Sequence, residues 1–172
     1  MVGRDRGTLE TVGVAVVTIS SESTIEEDEA GAAIVTSFEE ADHEVITREL
    51  IERTHDNVQA KVSRLVDRDD IDLIVTTGGT GVEPRDATLE AVRPLVQKEL
   101  PAFLDLFHEL SYAEIGTEMV SSRALGGIVD GVPVFCLPND ETATRLACDA
   151  IIVPEAPRLA ALANDGTDED ES

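Results

Sequence analysis

The feature that most constrains the fold is the alternation of short apolar runs with helix-like segments in the first half of the chain. Residues 12–19 are apolar on both faces, which is typical of a central parallel strand covered by helices on both sides. Residues 43–51 and 71–76 read as two further strands, and helix-like segments with apolar residues at three- and four-residue steps separate the three. This order favours right-handed crossovers, so the sequence predicts a three-layer α/β/α sandwich with a mostly parallel sheet.

The second half of the chain predicts a different edge for that sheet. Asp130-Gly131 lies between two apolar runs, which favours a tight hairpin with positive φ at the turn. We therefore expect an antiparallel hairpin at one edge of the sheet. A last helix is expected from Glu141 to Val153, where Pro154 should stop it.

The chain of 172 residues has the length of one domain, which buries roughly two thirds of its unfolded surface. We assign residues 11–163 to this single domain, residues 1–10 to a flexible tail and residues 164–172 to a disordered acidic tail. The longest apolar run is far shorter than the roughly 20 residues of a membrane-spanning helix. We therefore expect a soluble, cytoplasmic protein that does not contact a membrane.

The charge excludes one class of partner. Asp and Glu number 36 against 13 Lys and Arg, for a formal charge of -23, and such a surface repels nucleic acid. The acids are spread along the chain and only Lys61 and Lys98 are lysines. This composition resembles cytoplasmic proteins of extreme halophiles, so we expect the fold to need high salt.

A glycine-rich loop follows the third predicted strand, with the sequence Thr-Thr-Gly-Gly-Thr-Gly at residues 76–81. Ligands of open α/β sheets bind outside the carboxyl ends of the strands. Gly78, Gly79 and Gly81 leave backbone N–H groups uncovered and permit positive φ, so phosphate can approach the main chain. A tight turn without a ligand would also explain the glycines, but the hydroxyls of Thr77 and Thr80 favour a polar ligand.

Arg85 and Asp86 follow this loop within a few residues. The neighbouring cation favours the charged form of Asp86, which suits a Mg²⁺ ligand, direct or through water. Arg85 would neutralise phosphate. In the structural alternative Asp86 or Thr88 caps the next helix and Arg85 pairs with a surface acid.

Several segments in the same order resemble one family. Residues 76–91 are similar to the signature of molybdopterin adenylyltransferases, the MogA/MoaB family of molybdenum and tungsten cofactor biosynthesis. Residues 99–103, 110–117 and 121–124 match further, and the segment 110–117 is typical of the MoaB branch. The resemblance covers about residues 12–160.

The resemblance implies a reaction in which molybdopterin is joined to the AMP moiety of Mg-ATP with release of pyrophosphate. Asp86 would hold Mg²⁺ and act with Arg85 in catalysis, while Ser122 and Arg123 would bind the pterin phosphate. A helix start with a surface arginine is the structural alternative for that pair. The relatives form homotrimers or dimers of trimers, which we expect here as well. The substrate-binding positions carried over are Thr77, Gly78, Gly79, Thr80, Gly81, Ser122, Arg123, Pro138 and Asn139.

Three segments differ from the family pattern. After the first strand the family commonly has Ser-Asp followed by Arg, whereas this chain has Ser20-Ser21-Glu22. Arg53 stands where many active members have a catalytic acid, with Glu52 and Asp56 nearby as substitutes. Residues 137–140 read Leu-Pro-Asn-Asp instead of Leu-Pro-Gly-Ser. Asn139 can replace Gly at positive φ at modest cost, but Asp140 adds an acid beside a site for phosphates.

These differences leave the function open between two readings of the same fold. The first is an active adenylyltransferase. The second is a catalytically silent member that binds pterin, nucleotide or a partner protein. A regulatory or structural protein unrelated to the cofactor is a third class.

The remaining reactive side chains predict no further site. Cys136 and Cys148 match no metal motif and read as small buried hydrophobes. His43, His55 and His108 show no ligand spacing, and we expect them at the surface or at helix ends. The acids at residues 26–29 are expected to complement a helix dipole.

Overall fold

The computed structural model describes residues 10–169 and the side chains of residues 10–164. The tail predicted for residues 1–10 lies almost entirely outside this part of the chain. The strands are β1 (Gly13–Ile19), β2 (Glu44–Ile51), β3 (Leu73–Thr77), β4 (Lys98–Glu99), β5 (Leu125–Val129) and β6 (Val132–Leu137). The helices are α1 (Glu29–Glu40), α2 (His55–Val66), α3 (Thr88–Val92), α4 (Pro101–Ile115), α5 (Glu141–Ala147) and α6 (Val153–Glu169).

The six strands form one sheet in the order β2-β1-β3-β6-β5-β4. β1 pairs in parallel with β2 and β3, and β3 pairs in parallel with β6. β5 is antiparallel to both β6 and β4. The predicted mostly parallel sheet with an antiparallel hairpin at one edge is therefore confirmed.

Two separate apolar layers cover the faces of the sheet, which confirms the predicted sandwich. Val14 and Val16 of β1 belong to one layer, with α1, α4 and the chain from α5 into α6 packed on it. Ala15 and Val17 of the same strand belong to the other layer, with α2 and α3. Because neighbouring side chains of a strand point to opposite faces, a strand apolar at every position has to lie between two layers.

The edge hairpin adopts the turn that its sequence predicts. Asp130 has φ 47° and Gly131 has φ 80°, the left-handed values that a two-residue hairpin turn requires. The strand β4 beyond it has only two residues. A strand of that length carries no periodic pattern, and the sequence did not predict it.

The predicted stop at Pro154 is wrong. After α5 the chain makes one π-helical turn over Cys148–Ile152, and α6 begins at Val153 and continues to Glu169. The π-helical turn interrupts the α-helical pattern of backbone hydrogen bonds, and this pattern begins again with α6. Pro154 is therefore in the first turn of α6, where proline is tolerated because its missing N–H is not needed for a hydrogen bond within that helix. Residues 164–169 of the predicted acidic tail lie in this helix, and residues 170–172 lie outside the described part. The predicted disorder of this segment stays a prediction.

Two predictions concern the isolated cysteine and histidine side chains. Cys136 and Cys148 are fully buried, and burial raises the pKa of their thiols to about 11 and about 12, as expected for inert core residues. His43 is 8 % exposed and accepts the Val12 N–H on Nδ1 at 3.2 Å. Of the two predicted positions, surface or helix end, His43 takes the second, because its N–H donates to the Phe38 carbonyl at 3.0 Å just after the end of α1. The sequence around an isolated histidine does not indicate which backbone N–H group will donate to it.

The acids at residues 26–29 do mark the start of a helix. Asp28 is the N-cap of α1 and accepts the Gly31 N–H at 2.9 Å. It also accepts the Thr18 hydroxyl and pairs with Arg48 at 3.3 Å. Among the described residues, no helix is long and apolar enough to cross a membrane.

Candidate functional site

A cleft lies at the carboxyl ends of the parallel strands, where the order of the sheet reverses. The chain leaves β1 towards β2 on one side, whereas β3 lies on the other side of β1. Crevices of this kind are the usual ligand sites of open α/β sheets. The cleft has a volume of about 330 Å³. Its walls are Ile19, Ser20, Ser21, Glu22, Ser23, Arg53, Gly78, Gly79, Thr80, Gly81, Asp86, Ser121, Ser122, Pro138 and Asn139.

The glycine loop forms one wall because it packs directly on the end of β1. Gly78 and Gly79 have φ +104° and +69°, which side chains with a Cβ rarely adopt. A Cβ on Gly78 would lie 2.2 Å from the carbonyl oxygen of Ile19, and one on Gly79 would lie 2.2 Å from Thr88 Oγ1. The glycines are therefore required by close packing as well as by backbone conformation.

Three residues of the loop that line the cleft have backbone N–H groups without a protein acceptor within residues 10–169; Gly79 and Thr80 are buried and Gly81 is half-buried. The Gly78 N–H donates to the Leu137 carbonyl at 2.9 Å, which ties the end of β3 to the end of β6. The N–H groups of Gly79, Thr80 and Gly81 donate to no backbone or side-chain acceptor among the described residues. Consecutive free N–H groups of this kind bind anions such as phosphate.

Threonine side chains hold this loop in place from below. Thr77 Oγ1 donates to the Pro138 carbonyl at 2.9 Å, and Thr88 Oγ1 donates to the Gly78 carbonyl at 2.9 Å. Thr77 does not line the cleft. The prediction that Asp86 or Thr88 caps α3 is wrong, because the N-cap is Ala87 and no side chain accepts there. Thr88 instead positions the loop.

Asp86 lies at the floor of the cleft with its side chain only 8 % exposed. Its Oδ2 accepts the Glu83 N–H at 3.0 Å, which closes a tight turn. Its Oδ1 accepts from Arg53 Nη1 at 3.0 Å. Arg85, which was expected to neutralise phosphate or to pair with a surface acid, is exposed, makes no ion pair with another described residue and does not line the cleft.

Arg53 is the one cation that lines the cleft within residues 10–169. Its Nη1 donates to Glu83 Oε2 at 3.0 Å as well as to Asp86, and Nη2 lies 3.9 Å from Glu22 Oε1. The hydrogen bonds to Glu83 and Asp86 raise the pKa of Arg53. Arg53 Nε is buried and has no hydrogen-bond partner.

The family acid replaced by Arg53 has no substitute in the cleft. The Asp56 side chain is 98 % exposed and pairs with His55 at 3.0 Å. Glu52 is exposed and does not line the cleft. Among the described residues, the carboxylates that line the cleft are Glu22 and Asp86, and both lie next to Arg53.

Arg123 lies behind the glycine loop. Its Nε donates to the Thr80 and Gly81 carbonyls at 2.9 and 3.0 Å, and both terminal nitrogens donate to Glu90 at 2.7 and 3.1 Å. The Arg123 hydrogen bond lowers the pKa of Glu90. Arg123 therefore positions the loop with its charge already compensated, whereas Ser122 lines the cleft.

The loop after β6 closes the opposite wall. Pro138 and Asn139 line the cleft, and Asn139 has no positive φ, so its substitution for glycine imposes no backbone strain here. Asp140 is the N-cap of α5, where it accepts the Ala143 N–H at 2.9 Å. The acid that departs from the family pattern is thus committed to a helix end and does not line the cleft.

Most of the positions carried over from the resemblance meet at this cleft. Thr77, Arg85 and Arg123 are the three that do not line it. The cleft also contains residues that were not predicted as site residues, namely Arg53, Ser121 and the segment 20–23. The strand pattern contained a signal for Arg53 and for residues 20–23, because loops that follow parallel strands meet at one edge of the sheet.

The oxygen atoms of Asp86 could bind a divalent cation whose remaining ligands come from a bound phosphate compound and water. Residues 10–169 contain no cluster of three or more His, Cys, Asp or Glu side chains able to hold a metal. Mg²⁺ commonly binds through one or two carboxylates together with substrate phosphates and water. Each Asp86 oxygen uses one of its acceptor positions and retains another.

Comparison with known proteins agrees with this architecture. Residues 15–158 match the family described as probable molybdopterin binding domain. Molybdenum cofactor biosynthesis protein B of Bacillus anthracis is 39% identical over 141 residues, 81% of this chain and 83% of the relative.

Two solved structures share both fold and sequence. A crystal structure of molybdenum cofactor biosynthesis protein B has a TM-score of 0.87 at 35% identity, covering 91% of this chain and 98% of the other. The tungsten cofactor synthesizing protein MoaB from Pyrococcus furiosus has a TM-score of 0.80 at 30% identity, covering 90% and 98%. The chain therefore belongs to the molybdopterin-binding domain family of molybdenum and tungsten cofactor biosynthesis proteins.

Proposed function

We propose that the protein adenylylates molybdopterin with Mg-ATP. A phosphate oxygen of molybdopterin attacks the α-phosphorus of ATP, a new P–O bond forms, and the bond to the leaving pyrophosphate breaks. The pterin phosphate is already a nucleophile at neutral pH, so no serine or cysteine nucleophile is needed. The observation that carries the proposal is the row of free N–H groups at Gly79, Thr80 and Gly81 beside Asp86.

The residues of the cleft would act by positioning and by charge neutralisation. Backbone N–H groups that are fixed before the reaction stabilise developing charge on phosphate oxygens at little reorganisation cost. The Gly79 carbonyl accepts the Thr88 N–H at 3.0 Å and the Thr80 carbonyl accepts from Arg123 Nε at 2.9 Å, so both residues are held in place before a ligand binds. Asp86 would hold Mg²⁺, which offsets the charge of the transferred group when bound.

The charge of the cleft also supports a requirement for a metal ion. Glu22, Glu83 and Asp86 surround the single guanidinium of Arg53. Glu22 and Asp86 line the cleft and Glu83 lies beside them, so three carboxylates against one cation leave an excess of negative charge next to the place where a polyphosphate would bind. ATP would therefore bind as its magnesium complex.

One observation favours the silent alternative. Arg53 occupies the place where the family resemblance puts a catalytic acid, and it is bonded to Asp86. A member in which this ion pair persists with ligand bound would retain pterin or nucleotide in the cleft without turnover.

The two functions are separated by substituting Asp86. Purified protein is incubated with molybdopterin and Mg-ATP at molar salt, and pyrophosphate and adenylylated product are measured. Asp86→Asn keeps the shape of the side chain and removes its charge, so we expect turnover to fall by at least about 100-fold. Asp56→Asn is the matched control, because Asp56 is an acid outside the cleft, and it should retain full activity.

The outcomes are distinct. Absence of product from the wild type, with pterin or ATP still bound, would establish the silent member. Equal turnover by wild type and Asp86→Asn would remove Asp86 from the mechanism.

The assembly expected from the resemblance is a proposal as well. We propose a homotrimer or a dimer of trimers. Exposed apolar side chains on α4 and on the turn after it support a contact between copies, since Leu106, Tyr112 and Val120 are 50%, 61% and 88% exposed. The cytoplasmic location stays a prediction.

A further inference from the structure

Arg53 holds the acids of the cleft in an arrangement that a bound cation could replace. One nitrogen, Nη1, lies 3.0 Å from Glu83 Oε2 and 3.0 Å from Asp86 Oδ1. The guanidinium therefore bridges two carboxylate oxygens from the same loop. Carboxylate pairs of this kind are also what Mg²⁺ takes from a protein.

The rest of the guanidinium has capacity for another partner. The Arg53 side chain is 17 % exposed in the wall of the cleft. Its Nε is buried without a hydrogen-bond partner among the described residues, so in this position only the terminal nitrogens can meet a ligand. Nη2 has only the long 3.9 Å contact with Glu22. Arginine binds phosphate with a planar fork of donors and strongly prefers two-oxygen contacts. Arg53 is thus an anion-binding group that now holds carboxylates.

The partners of the Arg53 guanidinium differ in how well they tolerate its loss. The Arg53 backbone N–H donates to Ser21 Oγ at 3.1 Å, which anchors the residue beside β1. Glu22 and Glu83 have side chains 79% and 70% exposed, so they regain water when the guanidinium leaves them. Asp86, at 8 % exposed, does not, and it needs a replacement cation.

We propose that Arg53 exchanges Glu83 and Asp86 for a phosphate group of the ligand, and that this exchange opens a divalent-cation site between those two carboxylates. Phosphate and Mg²⁺ then bind cooperatively, because each favours the state in which Arg53 has left the acids. Arg53 is a phosphate-binding and positioning residue, and Glu83 is the second carboxylate of the metal site. This inference rests on the proposed function in that it takes the ligand to be a nucleotide phosphate.

The experiment measures binding by calorimetry at molar salt with two probes, pyrophosphate and Mn²⁺, each alone and in the presence of the other. In the wild type we expect Mn²⁺ to bind weakly alone and pyrophosphate to tighten it. In Arg53→Gln we expect pyrophosphate to bind about 10-fold to 100-fold more weakly, since a hydrogen bond between charged groups is lost. The same variant should bind Mn²⁺ alone more tightly than wild type, because Glu83 and Asp86 are free.

Two further variants separate this exchange from a merely structural role. Arg158→Gln removes the same charge from an exposed ion pair with Glu155, outside the cleft, and should match wild type with both probes. Adding Glu83→Gln to Arg53→Gln should reverse the gain in Mn²⁺ affinity. Should Arg53→Gln fail to fold, Arg53→Lys keeps the charge without the fork and is expected to lose part of the pyrophosphate affinity.

The inference is overturned if Arg53→Gln binds pyrophosphate like wild type, if it gains no affinity for Mn²⁺, or if wild type binds no pyrophosphate. Failure of the proposed function has a different signature. Wild type would then show coupled binding of pyrophosphate and Mn²⁺ and yet form no adenylylated product. Turnover by wild type with unchanged probe binding in Arg53→Gln would retain the function and reject the exchange.

Discussion

Replacing Gly78 by alanine should destabilise the protein far more than the same change at Gly116. Both glycines have positive φ, +104° at Gly78 and +65° at Gly116, so both substitutions impose backbone strain. They differ in their surroundings. A Cβ at Gly78 would lie 2.2 Å from the Ile19 carbonyl oxygen, whereas nothing lies within 4 Å of one at Gly116.

The size of the difference follows from that contact. Holding a residue with a Cβ in a sparsely populated backbone region costs about 1–3 kcal/mol, which is the whole effect expected for Gly116→Ala. At Gly78 the overlap is with a backbone atom of β1, a strand paired on both sides. Overpacking against a rigid neighbour adds about 1–3 kcal/mol. We therefore expect a loss of about 2–6 kcal/mol for Gly78→Ala.

Urea unfolding at molar salt, followed by circular dichroism, measures both variants on one scale. The slopes with denaturant should match that of the wild type, so that the midpoints report stability alone. A second measurement is ATP affinity, which should fall in Gly78→Ala and not in Gly116→Ala. Equal losses of unfolding free energy in the two variants would refute the close packing of the glycine loop on β1.

Two further predictions concern conditions. Burial lowers the pKa of His43, and the negative charge of Asp42 offsets only part of this effect. Below about pH 6.5 the unfolded chain therefore binds a proton at His43 that the folded chain does not bind. The free energy of unfolding should then decrease as the pH drops below about 6.5 and stay constant above it. In His43→Gln, which has no group that titrates at this position, the decrease should be smaller. Identical pH profiles for the variant and the wild type would contradict the lowered pKa of His43. The charge of -23 should make the melting temperature rise between about 0.1 M and 1 M KCl, where the screening length shrinks from about 10 Å to 3 Å; a constant melting temperature would reject the halophilic interpretation.

The sequence was sufficient for the layers of the fold because its strongest signals are periodic. β1 has a single polar side chain, Thr18, and all of its residues are buried, so the run of residues 12–19 specified a central strand without further information. The same reasoning fails for β4, which has two residues. It also failed at Pro154, where one π-helical turn changes the meaning of a proline.

The site was predictable where backbone chemistry forms it. The glycines of the loop are required by positive φ and close contact, and these needs are visible in residue type alone. Side-chain partners were not predictable in the same way. Asp86 pairs with Arg53, 33 residues earlier, and not with its neighbour Arg85, because adjacent residues need not face each other.

Two of the departures from the family pattern, Glu22 after β1 and Arg53 after β2, lie next to each other in the cleft. The resemblance puts a cation after β1 and an acid after β2, and this chain has Glu22 and Arg53 at those places. The two side chains face each other, with Arg53 Nη2 3.9 Å from Glu22 Oε1. The signs of these two side chains are exchanged, and in addition Ser21 stands where the family has an acid before the cation. The cation of this chain also reaches Asp86 and Glu83. Asp86, the metal-binding acid of the proposed mechanism, is therefore paired with a residue that follows β2. The double variant Arg53→Glu with Glu22→Arg would give these two positions the charges that the family has there.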